Sequence, residues 1–314
     1  MSNIIFPADY IIDQPDLTIE MMKYYSKQWS IEHDIMGKGL FEGSVSVVHT
    51  PRIQLGASYY SQGILFKGDI PDGCISFIYS KNDVIYNFQN KLIQDHEIIM
   101  LTKGDEIDLL TSEEINMRTI AIEEQLFNQS FYDFFGSTPS SILKAQRFSI
   151  KPDMISVFEN IVDSWSAYLT NEFPRQTIQP TYNTIESEIL QQLFSCLMFS
   201  SPTKKRKKFN TRSVRDLLDR NIEQFIDIPD IAKQLNISVS QLHYVFKKDY
   251  GMTPKKYLQS LRLNAIKKEL LLSDPHSVNI SNIAQKYNFF HMSHFSLEYK
   301  KMFGKTPSET LKRY

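Results

Sequence analysis

One stretch of the C-terminal third occurs twice, and this duplication restricts the fold more than any other feature of the chain. Ile231-Ala232-Lys233-Gln234-Leu235-Asn236-Ile237 leads to Leu242, Phe246-Lys247-Lys248, Gly251 and Thr253-Pro254. Ile283-Ala284-Gln285-Lys286-Tyr287-Asn288-Phe289 leads in the same way to Phe295, Tyr299-Lys300-Lys301, Gly304 and Thr306-Pro307. The offset is 52 residues up to the turn and 53 beyond it. Related segments of this kind are copies of one supersecondary unit. Each copy spells helix, tight turn, helix. Ile231, Ala232 and Leu235 give the first helix an inner face, with Ala small enough for close helix contact. Asn236 and Asn288 stand where the chain must turn at positive φ, which Asn tolerates better than most residues other than Gly. Ser238 suits the N-cap of the next helix, and Leu242 and Phe246, at i and i+4, form its buried side. Between the copies, Pro254 opens a helix bearing Tyr257, Leu258, Leu261, Ala265, Ile266 and Leu270, long enough to hold one unit against the other.

Burying one side of each second helix leaves the other side to solvent. The first copy then presents Ser240, His243, Tyr244 and Lys247, and the second Met292, Ser293, Ser296, Leu297 and Lys300. The polar members can bond base edges or phosphates, while Met292 and Leu297 suit thymine methyl groups, so the second unit is expected to lean more on backbone contacts. This is the layout of a helix-turn-helix, whose second helix enters the major groove of duplex DNA. A helical protein-interaction module with merely solvating lysines is the competing account.

Charge separates the two. Residues 201–314 carry 22 Lys and Arg against 10 Asp and Glu, a net +12, whereas residues 1–200 carry 13 against 26, a net −13. A polycationic third is drawn to nucleic acid by counterion release. Lys204, Lys205, Arg206, Lys207 and Lys208, following the helix-breaking Ser200-Ser201-Pro202, mark an exposed basic linker at 201–209. With Lys247, Lys248, Lys300 and Lys301 they are the candidates for neutralising phosphates. At 314 residues two domains are the default. The division expected is 1–200, 201–209 and 210–314. Met1 to Gln14 lacks the basic start of a signal peptide, no apolar run approaches the length of a membrane span, and only Cys74 and Cys196 are present. A soluble, cytoplasmic protein is expected, with no membrane partner.

The acidic part opens with β-type periodicity. From about 39 to 125, short β-branched and aromatic runs such as Ser44–Val48, Cys74–Tyr79 and Thr119–Ile122 are separated by turn signals including Pro71-Asp72-Gly73 and Lys103-Gly104-Asp105. Six or more such strands predict a small antiparallel barrel or sandwich. Over 126–200 the period lengthens to that of helices: Asp153 is placed to cap one bearing Ile155, Phe158, Ile161, Val162, Trp165 and Leu169. A second puts Ile185, Ile189, Leu190, Leu193, Phe194, Leu197 and Met198 on one face, which is either core against the strands or a homodimer interface.

Residues 210–314 resemble the DNA-binding domain of the AraC/XylS family of bacterial transcription regulators. The shared pattern includes Ile231-Ala232, Ser238, Leu242, Phe246-Lys247, Gly251, Pro254, Tyr257, Arg262, Ala265, Leu270, Ile283-Ala284, Phe289, Ser293, Phe295, Lys300, Gly304 and Pro307. Asn288 and Tyr299 replace a usual Gly and Phe, and Leu297 stands where a polar or basic residue is common. The resemblance implies base contacts from Ser240, His243 and Tyr244 in one unit and from Met292, Ser293, Ser296 and Leu297 in the other. It implies an α+β chain: a cupin-like antiparallel β-barrel with following helices that binds an effector and dimerises, then an all-α double helix-turn-helix. Activation of transcription and RNA polymerase as a partner are further expectations of the family. Tyr59, Tyr60, Phe66, Phe77, Tyr79, Tyr86 and Phe88 are the aromatics available to line a small-molecule effector pocket, or to fill a core. A regulator without an effector, controlled by abundance or a protein partner, is the alternative within the family. A cupin-type enzyme with a basic appendage is the alternative outside it, but His33, His49 and His96 are widely spaced and contain no His-x-His pair, so neither metal nor cofactor is expected and the chain reads as non-enzymatic.

Overall fold

Alternating apolar residues build two antiparallel sheets, and the computed structural model of the chain describes them within residues 5–7, 11–80, 86–89, 91–93, 96–111, 113–143, 147–172, 181–198, 200–202 and 211–312. The strands are β1 (Ile11–Leu17), β2 (Glu32–Ile35), β3 (Gly43–His49), β4 (Ile53–Tyr60), β5 (Ile64–Asp69), β6 (Cys74–Ser80), β7 (Tyr86–Phe88), β8 (Lys91–Leu92), β9 (Glu97–Leu101), β10 (Glu106–Thr111), β11 (Ile115–Glu123), β12 (Arg147–Ser149) and β13 (Ser201–Pro202). One sheet runs β1-β3-β4-β11-β6-β9-β12-β13 and the other β2-β5-β10-β7-β8. No described strand pairs across from one sheet to the other, so the barrel is open. Strands also begin upstream of residue 39. β1 holds Pro15 and a break in register at Asp16, whose φ is +55°, as an edge strand allows; β2 is Glu-His-Asp-Ile, too polar to stand out in the sequence.

Three helices, α2 (Glu124–Phe135), α3 (Pro152–Ala167) and α4 (Tyr182–Met198), follow α1 (Ile19–Tyr25) and cover the outer face of the larger sheet. Asp153 lies in the first turn of α3 rather than at its cap, because Pro152 takes the first helical position. The apolar stripe of α4 from Ile185 to Leu197 is buried in this layer, and only Met198 stays exposed. Of the two readings of this stripe, core against the strands is the one the fold shows. Phe77 and Tyr79 point into the same layer, against Phe127 and Phe158. That corrects their assignment to a pocket: strand alternation sends them to the helical face while Ile78 goes to the other.

The C-terminal helices are α5 (Arg212–Arg220), α6 (Ile228–Gln234), α7 (Val239–Tyr250), α8 (Pro254–Leu272), α9 (Ile280–Lys286), α10 (Met292–Phe303) and α11 (Pro307–Leu311). They pack on the smaller sheet. Met36, Leu65 and Leu110 join Val214, Tyr257 and Leu258 in one apolar cluster. Polar groups fix the register of this seam. Asn264 on α8 accepts the Ile35 N–H at 3.1 Å and donates to the Ile35 carbonyl at 2.7 Å, completing the edge strand β2 as a neighbouring strand would. Asn87 donates to the Asp249 carbonyl at 3.0 Å, and the Gly39 N–H to the Lys301 carbonyl at 2.7 Å. Lys267 pairs with Glu20 at 2.6 Å, and Lys268 with Glu32 at 2.9 Å and Asp34 at 3.3 Å.

Lys268 and Lys23 hold the Glu32 carboxyl down to about 2 from its ordinary 4.5. A lowered pKa in the folded state adds stability above the unfolded value, and that contribution is lost as the pH falls. The urea midpoint is therefore expected to decline between about pH 4.5 and pH 2 more steeply for the natural chain than for Glu32→Gln. Parallel profiles would mean that these ion pairs hold nothing.

Candidate nucleic-acid interface

The two turns are built alike, hydrogen bond for hydrogen bond. Asn236 and Asn288 take φ of +54° and +66°, as expected for the turn position. The Asn236 N–H donates to the Lys233 carbonyl and the Ile237 N–H to that of Ala232, both at 3.1 Å. In the second copy, Asn288 and Phe289 donate to Gln285 and Ala284, both at 2.9 Å. Ser238 accepts the Gln241 N–H at 3.1 Å and caps α7; α10 starts at His291 without a side-chain cap. Both second helices end in a left-handed glycine, Gly251 and Gly304, each at φ +72°. A threonine cap then follows in each, Thr253 for α8 and Thr306 for α11, the latter closed into a capping box by Glu309.

Packing decides which faces remain. Ile231, Ala232, Leu242 and Phe246 are buried in the first unit, and Ile283, Ala284, Phe295 and Tyr299 in the second. Tyr299 needs its hydroxyl: it bonds Thr310 at 3.1 Å, giving a buried polar atom its partner. Outward on α7 stand Ser240 and Tyr244, with His243 half-buried; Tyr244 is 66% exposed, and its ring lies 6.0 Å from the Lys248 ammonium. On α10, Ser293 and Leu297 are exposed, whereas Met292 and Ser296 are half-buried and Met292 packs on the core. Lys247, Lys248 and Lys300 are exposed and form no ion pair among the described residues. Lys301 is also exposed but pairs with Glu298 at 2.9 Å. Lys204, Lys205, Arg206, Lys207 and Lys208 lie outside the described residues.

Arg262, part of the family pattern, faces inward: its guanidinium donates to the carbonyls of Ile222 at 2.8 Å and Gln224 at 2.6 Å, tying α8 to the loop after α5. Sequence reasoning passed over Arg215, which is 1% exposed. It donates from Nη1 to Asp108 at 3.0 Å and from Nε to the Tyr257 hydroxyl at 2.9 Å. Tyr257 in turn donates to Asp219 at 2.7 Å, where Lys67 also pairs. Burial pushes the Tyr257 hydroxyl well above its ordinary range, so it remains a donor. The only hint in the sequence was an Arg inside an apolar helical period.

Residues 231–313 match the model of a helix-turn-helix domain family. Among curated proteins, the chain is 35% identical over 97 residues to the probable thc operon regulatory protein of Rhodococcus erythropolis, covering 31% of this chain and 29% of that one. It is 26% identical over 226 residues to a XylDLEGF operon transcriptional activator of Pseudomonas putida, covering 69% and 65%. Over this domain the chain is similar to regulators of the AraC/XylS family. The alignments span less than two thirds of the length of these relatives. The crystal structure of the AraC-like transcriptional activator CuxR aligns with 81% of this chain and 94% of its own at 10% identity, with a TM-score of 0.45. The AraC/XylS pattern accounts for the buried Ile-Ala pairs, the Ser238 cap and the two glycine stops. Of the aromatics expected around an effector, Tyr60 and Phe66 line a cavity between the sheets. Phe88 is core, Tyr59 bonds Glu114 at the surface, and the side chain of Tyr86 lies outside the described residues. The cavity's other walls come from Tyr25, Trp29, His49 and Gln54, partly from the segment before residue 39 that had no predicted strand.

Proposed function

We propose that this protein is a sequence-specific regulator of transcription that binds double-stranded DNA through residues 210–314 and senses a small molecule through residues 1–200. The observation that carries this reading is the pair of identically wired turns, each projecting a helix whose outer face carries polar and basic side chains, joined on α10 by the exposed Leu297. Two such helices would occupy successive major-groove segments about 34 Å apart. Activation through RNA polymerase, in the cytoplasm, follows the family. The cavity between the sheets supports a sensing role for residues 1–200.

His243→Ala and Tyr244→Ala are each expected to relax preference at one or two base pairs by about 1–3 kcal/mol. Lys247→Ala should weaken binding to all sequences alike. Binding to an operator and to random DNA, measured side by side, separates the two classes. Equal losses on both DNAs for His243→Ala and Tyr244→Ala would remove these residues from readout.

A further inference from the structure

The cavity between the sheets measures about 170 Å³. An apolar cavity of about 150 Å³ is enough to hold one benzene ring. Most of its wall is apolar, from both sheets, with Val45, Ile107 and Leu109 among the contributors. The aromatic rings of Trp29, Tyr60 and Phe66 supply flat faces, Tyr60 and Phe66 meeting edge to face with centroids 5.0 Å apart. Among the described residues, no Lys, Arg, Asp or Glu lines it.

Its polar wall is neutral and largely closed on itself. Gln54 accepts the Trp29 indole N–H at 2.6 Å and its amide nitrogen reaches Gln28 at 2.5 Å and His49 at 2.8 Å. Burial lowers the His49 pKa to about 4, so the imidazole is uncharged at neutral pH. The other polar groups on the wall are hydroxyls, those of Tyr24, Tyr25, Ser26, Ser58, Tyr60 and Thr119; Ser26 donates to the Met22 carbonyl at 2.8 Å and Thr119 to that of Gly56 at 3.4 Å, so their oxygens keep lone pairs for a guest's donor. A carboxylate placed here would give up part of its water and meet no cation among the described lining residues, a cost that an isosteric neutral group avoids.

We infer that the cavity takes an uncharged molecule the size of one ring, carrying one or two small hydrogen-bonding substituents, and rejects the carboxylate of the same shape. This rests on the proposed sensing role of residues 1–200. The cavity is also wired to the DNA-binding part: Tyr24, Tyr25, Gln28, Trp29 and Ile31 line it. The residues flanking that segment, Glu20, Glu32 and Asp34, hold Lys267 and Lys268 of α8, and Ile35 holds Asn264. A guest that shifts this segment acts directly on the seam.

The test uses the full chain with benzamide, benzyl alcohol and phenol against benzoate, at millimolar concentrations, by thermal shift and calorimetry, with DNA affinity measured on the same preparation. At least one neutral compound is expected to bind saturably, and benzoate at least about 100-fold more weakly than benzamide. Val47→Phe, which fills the cavity, should abolish the binding. Ser58→Ala, which leaves the packing intact, should weaken the tightest of the three severalfold. Equal or tighter binding of benzoate, or no saturable binding by any neutral compound, overturns the inference. Retained DNA binding in either case leaves the regulator reading standing, whereas absent DNA binding removes that reading whatever the compounds do.

Discussion

Asp108→Ala is expected to destabilise the protein by about 3–5 kcal/mol, the cost of leaving a buried charge without its partner. Arg215, on α5, is 1% exposed between the smaller sheet and α8, and its guanidinium is forked onto both Asp108 oxygens. With Asp108 removed, Arg215 keeps an ion pair with Asp219, but at 3.9 Å and with a carboxylate already held by Tyr257 and Lys67. Opening the seam to hydrate Arg215 would also expose Met36, Leu65 and Leu110, which share a cluster with Val214 and Tyr257. Apolar burial therefore keeps the charge in place and makes its isolation costly. Replacing the pair together, Asp108→Leu with Arg215→Met, should recover most of the loss, because matched apolar groups need no solvation. Urea denaturation of the single and double variants measures this. A loss below about 1 kcal/mol for Asp108→Ala would mean that the pair behaves like a surface salt bridge.

DNA affinity is expected to fall by about 10³–10⁵ between about 50 and 200 mM salt, the range for six to ten neutralised phosphates. The cations available are the five of the basic linker together with Lys247, Lys248, Lys300 and Lys301. Each phosphate adds about −0.9 to the slope of log affinity against log salt. Changing Lys204, Lys205, Arg206, Lys207 and Lys208 to Ala should thus flatten the slope by about 4 to 5 while leaving the ranking of operator sequences unchanged. Fluorescence anisotropy over a salt series reads both quantities. A slope near zero in the natural chain would show that the net charge of +12 over residues 201–314 serves something other than a polyanion. Lys301 is expected to contribute less than Lys300, since a phosphate must first compete with Glu298.

The helix-turn-helix units could be read from the sequence because their determinants are local. A positive-φ Asn, a terminal Gly and apolar residues three or four apart act within a dozen positions and occur in both units, and the capping Ser occurs in the first. Strand existence was legible for the same reason, from Ser44 to Ile122. β1 and β2 were not, because edge strands need only one apolar side and theirs is interrupted by Pro15, Glu32 and Asp34. Which side of a strand an aromatic occupies also escaped: Phe66 faces the cavity while Phe77 meets Phe127, although both sit in apolar runs.

By itself, then, the sequence determined the two turns, the outward identities of Ser240 and Tyr244, and the separation of charge between the ends of the chain. Tertiary structure alone decided that Arg215 and Asp108, 107 residues apart, share one buried fork. It also decided that Asn264 completes strand β2 and that Trp29 and Gln54 close the cavity wall. Local signals follow from backbone geometry within one or two turns of chain. Pairings over long separations depend on how whole sheets and helices settle to bury their apolar faces, and no short window of residues contains that information.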